Sequence, residues 1–217
     1  SDTVTISGNA VIRCDAALPA VQVMASDGES VKGDIVITGG TFDGGKPDDA
    51  LIDDELQLEK GDDGSFVVVE KKVAQIGDKT FPSLAKALDA AQDGDTVMLL
   101  ENEDISGSKK GVVVASGKAL ILNLNGKELK VANTATGPLK VLGELTVRDS
   151  TDMNRNGTGS GRIYTTTEYT GGSTGYAMLS AVDGGKVIVD SGHIDAASFT
   201  TDHAHKGQFA LGVDSNK

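Results

Sequence analysis

The chain is patterned as short runs in which every second residue is apolar, each closed by Gly, Asp, Asn or Ser. Val4 and Ile6 alternate with Thr3 and Thr5 ahead of Ser7-Gly8-Asn9, and Val11-Ile12 follow. Val21 with Val23, then Ile35-Val36-Ile37 before Thr38-Gly39-Gly40, extend the pattern. It resumes at Val97 and Leu99, at Val112-Val113-Val114, and at Leu120, Leu122 and Leu124. Further pairs are Leu129 with Val131, Leu139 with Val141, Leu145 with Val147, Val187 with Val189, and Leu211 with Val213. Period-two alternation between turn formers marks half-buried strands. Helical periodicity is nearly absent, so the expected class is all-β.

Spacing chooses between architectures. Leu99 to Leu122 is 23 residues, Leu122 to Val147 is 25, and Val189 to Leu211 is 22. Periods in the twenties that each hold several short strands mark stacked coils. A right-handed parallel β-helix is expected, with aliphatic rows inside and Thr, Asn, Lys and Asp outside. Glycines would serve corners that need positive φ. The alternative is a β-sandwich, for which Asn125-Gly126 offers a hairpin signal.

One segment breaks the pattern. Residues 80–93 read as amphipathic, with Ser83 or Thr80 as cap, Pro82 near the start and Gly94 as the stop. A short capping helix near 83–92 is expected, with Phe81, Leu84 and Leu88 plugging the open end of the coils; a plain surface helix is the alternative. Residues 43–65 are dense in Asp, Glu and Gly, and Ser65–Ile76 reads as a hairpin strand leading into Gly77-Asp78. The stretch Gly33–Asp43 also aligns with Gly185–Asp195. Three segments follow: 1–45 as the C-terminal coils of a first β-helix module, 46–72 as an acidic linker or hairpin, and 73–217 as a second module opened by the capping helix.

Composition narrows the function classes. The 217 residues carry 32 acidic and 20 basic side chains, for a net charge of −12. Nucleic acid and anionic lipid both demand clustered Lys and Arg, so neither is an expected partner. No apolar run nears the roughly 18 residues that cross a bilayer, so membrane insertion is not expected. Gly fills 28 positions while Trp is absent and Tyr only 3, as suits a thin aliphatic core. The single Cys14 cannot form an internal disulfide and reads as a small buried hydrophobe. The start at Ser1-Asp2-Thr3 reads as a fragment of a longer or processed protein.

The segment Val73–Leu100 resembles one that opens pectate-lyase-like parallel β-helix repeat modules in large cell-surface and adhesin proteins of Gram-positive gut bacteria. Ile121–Leu129, Leu145–Ser150 and Ile35–Phe42 are similar to the recurring rungs of that family. The resemblance implies an extracellular, cell-wall or cell-surface location and a stalk or adhesin role. It carries no catalytic residues.

Several constellations invite chemistry. Asp152, Asn154 and Asn156 before Gly157, with Asp149 just ahead, match the first half of a calcium loop, though Ile163 stands where its bidentate Glu belongs. A solvated corner loop is the other reading, and no cofactor is otherwise expected. His193, Asp202, His203 and His205 crowd as zinc-type ligands would, or as an exposed loop. Arg148, Arg155 and Arg162 beside those aspartates mark the place where a polysaccharide lyase or hydrolase site would sit. Tyr164, Tyr169 and Tyr176, with Arg162, are the candidate glycan contacts. Thr165-Thr166-Thr167 could form a surface threonine row. The function expected is a non-enzymatic structural or adhesive module of an exported bacterial surface protein. It would act as a spacer or present loops to host or microbial glycans or proteins, stacking end to end with neighbouring modules. A carbohydrate-active β-helix enzyme and a phage tail or fibre segment are the alternatives.

Overall fold

The computed structural model describes residues 3–14, 20–21, 35–107, 111–132, 138–152, 154, 157–166, 176–195 and 208–214. Strands dominate them, with one α-helix and one short 3-10 turn; the protein is all-β. Internal contacts divide the chain into two compact units, Ser1–Lys71 and Lys72–Lys217.

The first unit holds β1 (Val4–Ile6), β2 (Val11–Arg13), β3 (Ile35–Ile37), β4 (Thr41–Asp43), β5 (Leu56–Lys60) and β6 (Phe66–Glu70). β1 pairs with β3 and β2 with β4, both in parallel. β5 and β6 form an antiparallel hairpin, and β6 lies antiparallel on β4. Asp63 builds its turn by accepting the Ser65 N–H and hydroxyl at 3.0 and 2.7 Å. Ile37 and Phe42 are fully buried, with Leu58, Phe66 and Val68 of the hairpin packed on them. The acidic stretch, expected as a linker or hairpin, is therefore no plain linker: it forms a hairpin that joins the sheet, because its alternate apolar residues have a core to cover. Nor is Ser65–Ile76 one strand: β6 ends at Glu70, and a new hairpin begins at Ala74.

The second unit starts with that hairpin, β7 (Ala74–Ile76) and β8 (Lys79–Phe81), then α1 (Leu84–Ala90). Next come β9 (Thr96–Leu99), β10 (Glu103–Asp104), β11 (Val112–Val114), β12 (Ala119–Asn123), β13 (Glu128–Lys130) and β14 (Leu139–Val141). The last six are β15 (Glu144–Arg148), β16 (Arg162–Tyr164), β17 (Tyr176–Val182), β18 (Lys186–Val189), β19 (His193–Asp195) and β20 (Gln208–Asp214). Pairing follows one rule: each strand from β9 to β17 lies parallel against the third strand after it. Three columns result, β9-β12-β15-β18, β10-β13-β16-β19 and β11-β14-β17-β20. The β7–β8 hairpin joins the first column antiparallel to β9.

Register stacks like on like. Val97, Leu122 and Val147 align and are fully buried, as do Leu129 with Ile163 and Leu139 with Leu179. Two spacings expected from the sequence belong to other partners. Leu122 faces Val97 rather than Leu99, and Leu211 faces Leu179, in a different column from Val189. The Asn125-Gly126 turn joins β12 to β13, which sit in separate columns, so it closes no hairpin. Parallel pairing from β9 onward also sets the molecule apart from an antiparallel sandwich.

α1 is shorter than the sequence suggests, because Lys79–Phe81 is already strand. Ser83 caps it by accepting the Lys86 N–H. Its Leu84, Ala87 and Leu88 are buried in one cluster with Phe81, Val97, Leu99 and Val112. Two residues that the sequence did not flag fix its ends. The Glu103 carboxylate accepts the Leu84 N–H at 2.9 Å, and Lys118 donates to the Asp89 carbonyl at 3.1 Å. An anion at the helix start and a cation at its end both complement the macrodipole.

Candidate functional site

Of the residues singled out by sequence, Asp149, Asp152, Asn154, Arg162, Tyr164 and His193 lie on the long connection from β15 to β16 or on the β10-β13-β16-β19 column. At the base of that connection sits Asp149, 2% exposed. Leu122 is 25 residues from each of its partners Val97 and Val147. That offset places Asp149 where earlier turns of the chain carry the buried Leu99 and Leu124. A carboxylate thus occupies an aliphatic position, and burial of a bare charge there would be prohibitive.

The corner supplies the compensation. Oδ1 of Asp149 accepts the N–H groups of Gly126 at 2.8 Å and Thr151 at 3.1 Å. Oδ2 accepts the Gly161 N–H and the Thr151 hydroxyl, both at 2.7 Å. Above it, Ser191 accepts the Asp149 N–H at 2.9 Å. Burial by itself would raise the carboxyl pKa, but the hydrogen bonds from Thr151, Gly161 and Gly126 outweigh it and hold the group below its ordinary value. Asn123, also buried, accepts the N–H groups of Asn125 and Ser150, and Asn125 donates to the Leu99 carbonyl at 3.0 Å. Side chains from successive turns are stitched together at this one corner.

The calcium-loop residues are placed accordingly. Asp149 spends both oxygens on N–H and O–H donors, which point their hydrogens where a cation would have to sit. Asp152 is buried and accepts the Gly157 N–H at 2.8 Å. Asn154 lies in an exposed turn, and Asn156 is outside the described residues. Among the described residues no three His, Cys, Asp or Glu side chains converge as a metal set. His193 engages the Gly159 carbonyl through Nε2 at 3.1 Å; Asp202, His203 and His205 lie outside the described residues, as does Arg155. Cys14 is half-buried rather than buried, and Thr165 is 4% exposed, so it belongs to no surface row.

On the outer face, the columns align Glu128 with Arg162 and His193, and Lys130 with Tyr164 and Asp195. Arg162 pairs with Glu128 at 2.7 Å and lies 4.3 Å over the Tyr164 ring. Alternate residues of a strand share a face, which is why Arg162 can cover Tyr164. Lys130 pairs with Asp104 at 2.8 Å; that bond, with one from Ser106, pulls the Asp104 carboxyl down to about 2. Of the other two tyrosines, Tyr169 is outside the described residues, and Tyr176 opens β17. What this strip offers chemically is a half-buried aromatic ring with one face blocked by guanidinium, set among charges that are mutually neutralised. On β15, Arg148 has a buried Nε without a hydrogen-bond partner.

Among the described residues no helix is long and apolar enough to cross a membrane. Comparison of the chain with models of protein families, with curated proteins and with solved structures finds no match.

Proposed function

We propose that Lys72–Lys217 is a right-handed parallel β-helix and that the protein is a non-enzymatic structural and adhesive module of an exported bacterial surface protein. The observation that carries the fold reading is the three-strand step of the parallel columns, since a chain that climbs one parallel step per three strands is a coil. Right-handedness follows from the strong bias of parallel crossovers toward that hand. In this reading α1 and the β7–β8 hairpin close one end of the coil, where an apolar cross-section and free strand edges need cover. Each turn then advances the structure by about 4.8 Å, the spacing of paired strands, which suits a stiff spacer.

The adhesive part rests on the strip around Tyr164. Among its described residues Arg162 is paired with Glu128 and Lys130 with Asp104, so neither cation is free to hold a polyuronide. A neutral glycan that stacks on the face of Tyr164 away from Arg162 and hydrogen-bonds to the flanking carboxylates fits better. The surface-protein resemblance of Val73–Leu100 supports an extracellular location. A glycan array read alongside reducing-sugar and unsaturated-uronide assays tests the proposal. Binding without product release supports it, whereas turnover of any polysaccharide would put the enzyme reading in its place.

A further inference from the structure

We infer that Asn125-Gly126 is a latent deamidation site held shut by the Asp149 carboxylate, so that opening of this one corner modifies the chain irreversibly. Two Asn-Gly pairs occur in the sequence, Asn125-Gly126 and Asn156-Gly157. Such a pair is reactive because glycine has no Cβ to shield its nitrogen or to restrict the backbone around it. The glycine nitrogen loses its proton and attacks Cγ of the asparagine; Nδ2 leaves as ammonia, and a five-membered succinimide forms. Water then opens the ring at either carbonyl. The product is aspartate, or isoaspartate with the main chain routed through the former side chain. Asparagine is for this reason among the thermolabile residues.

In the folded corner the reacting atoms are engaged elsewhere. Asn125 and Gly126 take φ of 50° and 73° in a turn closed by the Lys127 N–H on the Leu124 carbonyl at 2.8 Å. The Gly126 N–H, whose nitrogen is the nucleophile, donates to Oδ1 of Asp149 at 2.8 Å. Nδ2 of Asn125, the leaving group, donates to the Leu99 carbonyl at 3.0 Å, and Oδ1 accepts the Ser150 hydroxyl at 3.3 Å. Attack takes the proton off the glycine nitrogen and the NH₂ off Cγ, so the bonds to Asp149 and Leu99 are both lost along the way.

A carboxylate next to the nucleophile could serve as its base, but Asp149 is placed to hold the proton in position. Negative charge developing on a nitrogen 2.8 Å from Oδ1 is opposed by the charge already there. The hydrogen bonds from Thr151, Gly161 and Gly126 keep the carboxyl below its ordinary value, which makes it a poor proton acceptor. Asp149 is also 2% exposed, so solvent base reaches the shared proton only when the corner opens. Reclosure then fails. The product has no NH₂ for the Leu99 carbonyl and adds a second carboxylate to the corner that buries Asp149. Isoaspartate further lengthens a tight turn: a Cβ on Gly126 would already lie 3.0 Å from Oγ of Ser160 and Cγ2 of Thr151.

The test incubates the full chain in mildly alkaline buffer and follows Asn125 by peptide mapping and isoaspartate-specific methylation, with Asn156→Gln removing the other pair. Asn125 should react roughly a hundredfold more slowly in the folded chain than in the same chain unfolded by urea, because reaction waits on opening. Asp149→Ala removes the acceptor without creating a new asparagine. Leu139→Ala, a cavity in the β11-β14-β17-β20 column, is the control, and urea brings both to the same unfolded fraction. At that match Asp149→Ala should react roughly tenfold faster than the control, since its corner opens locally. Gly161→Ala, which crowds the carboxylate without removing it, should also exceed the control, and it decides alone if Asp149→Ala does not fold. Equal rates in folded and unfolded chain overturn the inference. So do variant rates that follow the unfolded fraction alone, which would make the whole fold the guard. A slower reaction in folded Asp149→Ala than in the control would make the carboxylate a base and overturns it too. So does a deamidated chain that refolds to the original Tm.

Discussion

The backbone N–H of Gly161 meets Oδ2 of Asp149 at 2.7 Å, twelve residues earlier in the chain, and closes the long excursion between β15 and β16. A Cβ at Gly161 would lie 2.7 Å from both Cγ of Asp149 and Cβ of Leu124, so glycine is required there for space. Asp149→Asn replaces an acceptor by an amide NH₂ that faces N–H donors, and should cost about 3 kcal/mol, the usual penalty for breaking a buried charged hydrogen-bond set. Gly161→Ala should cost about 1–3 kcal/mol through overpacking. Because both act on one contact, the double variant should lose clearly less than the sum. Urea denaturation of the four proteins measures this; strict additivity would argue against a shared anchor.

Acid should expose the same anchor. Asp149, Asp104 and Asp63 all have carboxyl pKa values below their ordinary value, Asp104 at about 2. A lowered folded pKa stabilises the protein fully above the unfolded value, near ~3.9 for Asp, and loses that contribution as pH falls toward the folded value. Tm should therefore be level near neutrality and drop between about pH 4 and pH 2. Asp104 and Asp63 are solvent-exposed and screened, so the limb should belong mainly to Asp149. In Asp149→Asn it should be visibly shallower; an unchanged acid limb in thermal scans would assign it to other groups.

The anchor also shows what the sequence could and could not disclose. The aliphatic alternation of Leu120–Leu124 and Leu145–Val147 is legible because one face of each strand is buried and the other is not. Ser83 is legible as a cap because its hydroxyl has a local backbone partner. Pitch is not: Leu122 stacks on Val147 at 25 residues, but Asp149 meets Ser191 at a separation of 42, since corner excursions have no fixed length. Asp149 was drawn in with the half calcium loop of Asp152, Asn154 and Asn156 because Asx-Gly turns and calcium loops share the same residues. Its register with Leu99 and Leu124 was the signal that it points inward. Glu103 and Lys118 reach α1 from elsewhere in the chain, and no local pattern marks them.

Arg148 tests the opposite kind of polar burial. Its Nε is buried without a partner, whereas the residue one turn earlier in its row is Asn123, which accepts two N–H groups, and before that Met98. An unsatisfied buried donor costs about 1–3 kcal/mol. Arg148→Met keeps the length of the side chain and removes the donor, so Tm should hold or rise by a few degrees. A fall of several degrees would mean that the guanidinium makes a stabilising contact after all.

The capping residues separate packing from electrostatics. Leu88 is 1% exposed within the core cluster, so Leu88→Ala should cost about 2–5 kcal/mol. Glu103→Gln keeps the shape and an acceptor for the Leu84 N–H but removes the charge from the helix start, for about 0.3–1 kcal/mol. Amide exchange should divide the two further: Leu88→Ala should open β9 and β11 together with α1, while Glu103→Gln should loosen only the first turn of the helix. Equal effects on β9 would mean that α1 is held by its end charges rather than by its buried face.

The strip at Tyr164 gives the prediction closest to function. Its ring has one face under the Arg162 guanidinium, so a sugar can stack only on the other. Tyr164→Ala should abolish stacking, with Tm nearly unchanged because the side chain is half-exposed. Arg162→Lys keeps the charge near Glu128 but loses the planar contact, so affinity should fall several-fold through a less rigid ring. Glu128→Gln should weaken binding only modestly, and raising salt should barely matter, because the ligand is neutral. A glycan identified on the array and titrated calorimetrically against the three variants measures this. Binding that collapses in high salt would instead indicate a charged ligand held by Arg162 and Lys130, with Tyr164 a bystander.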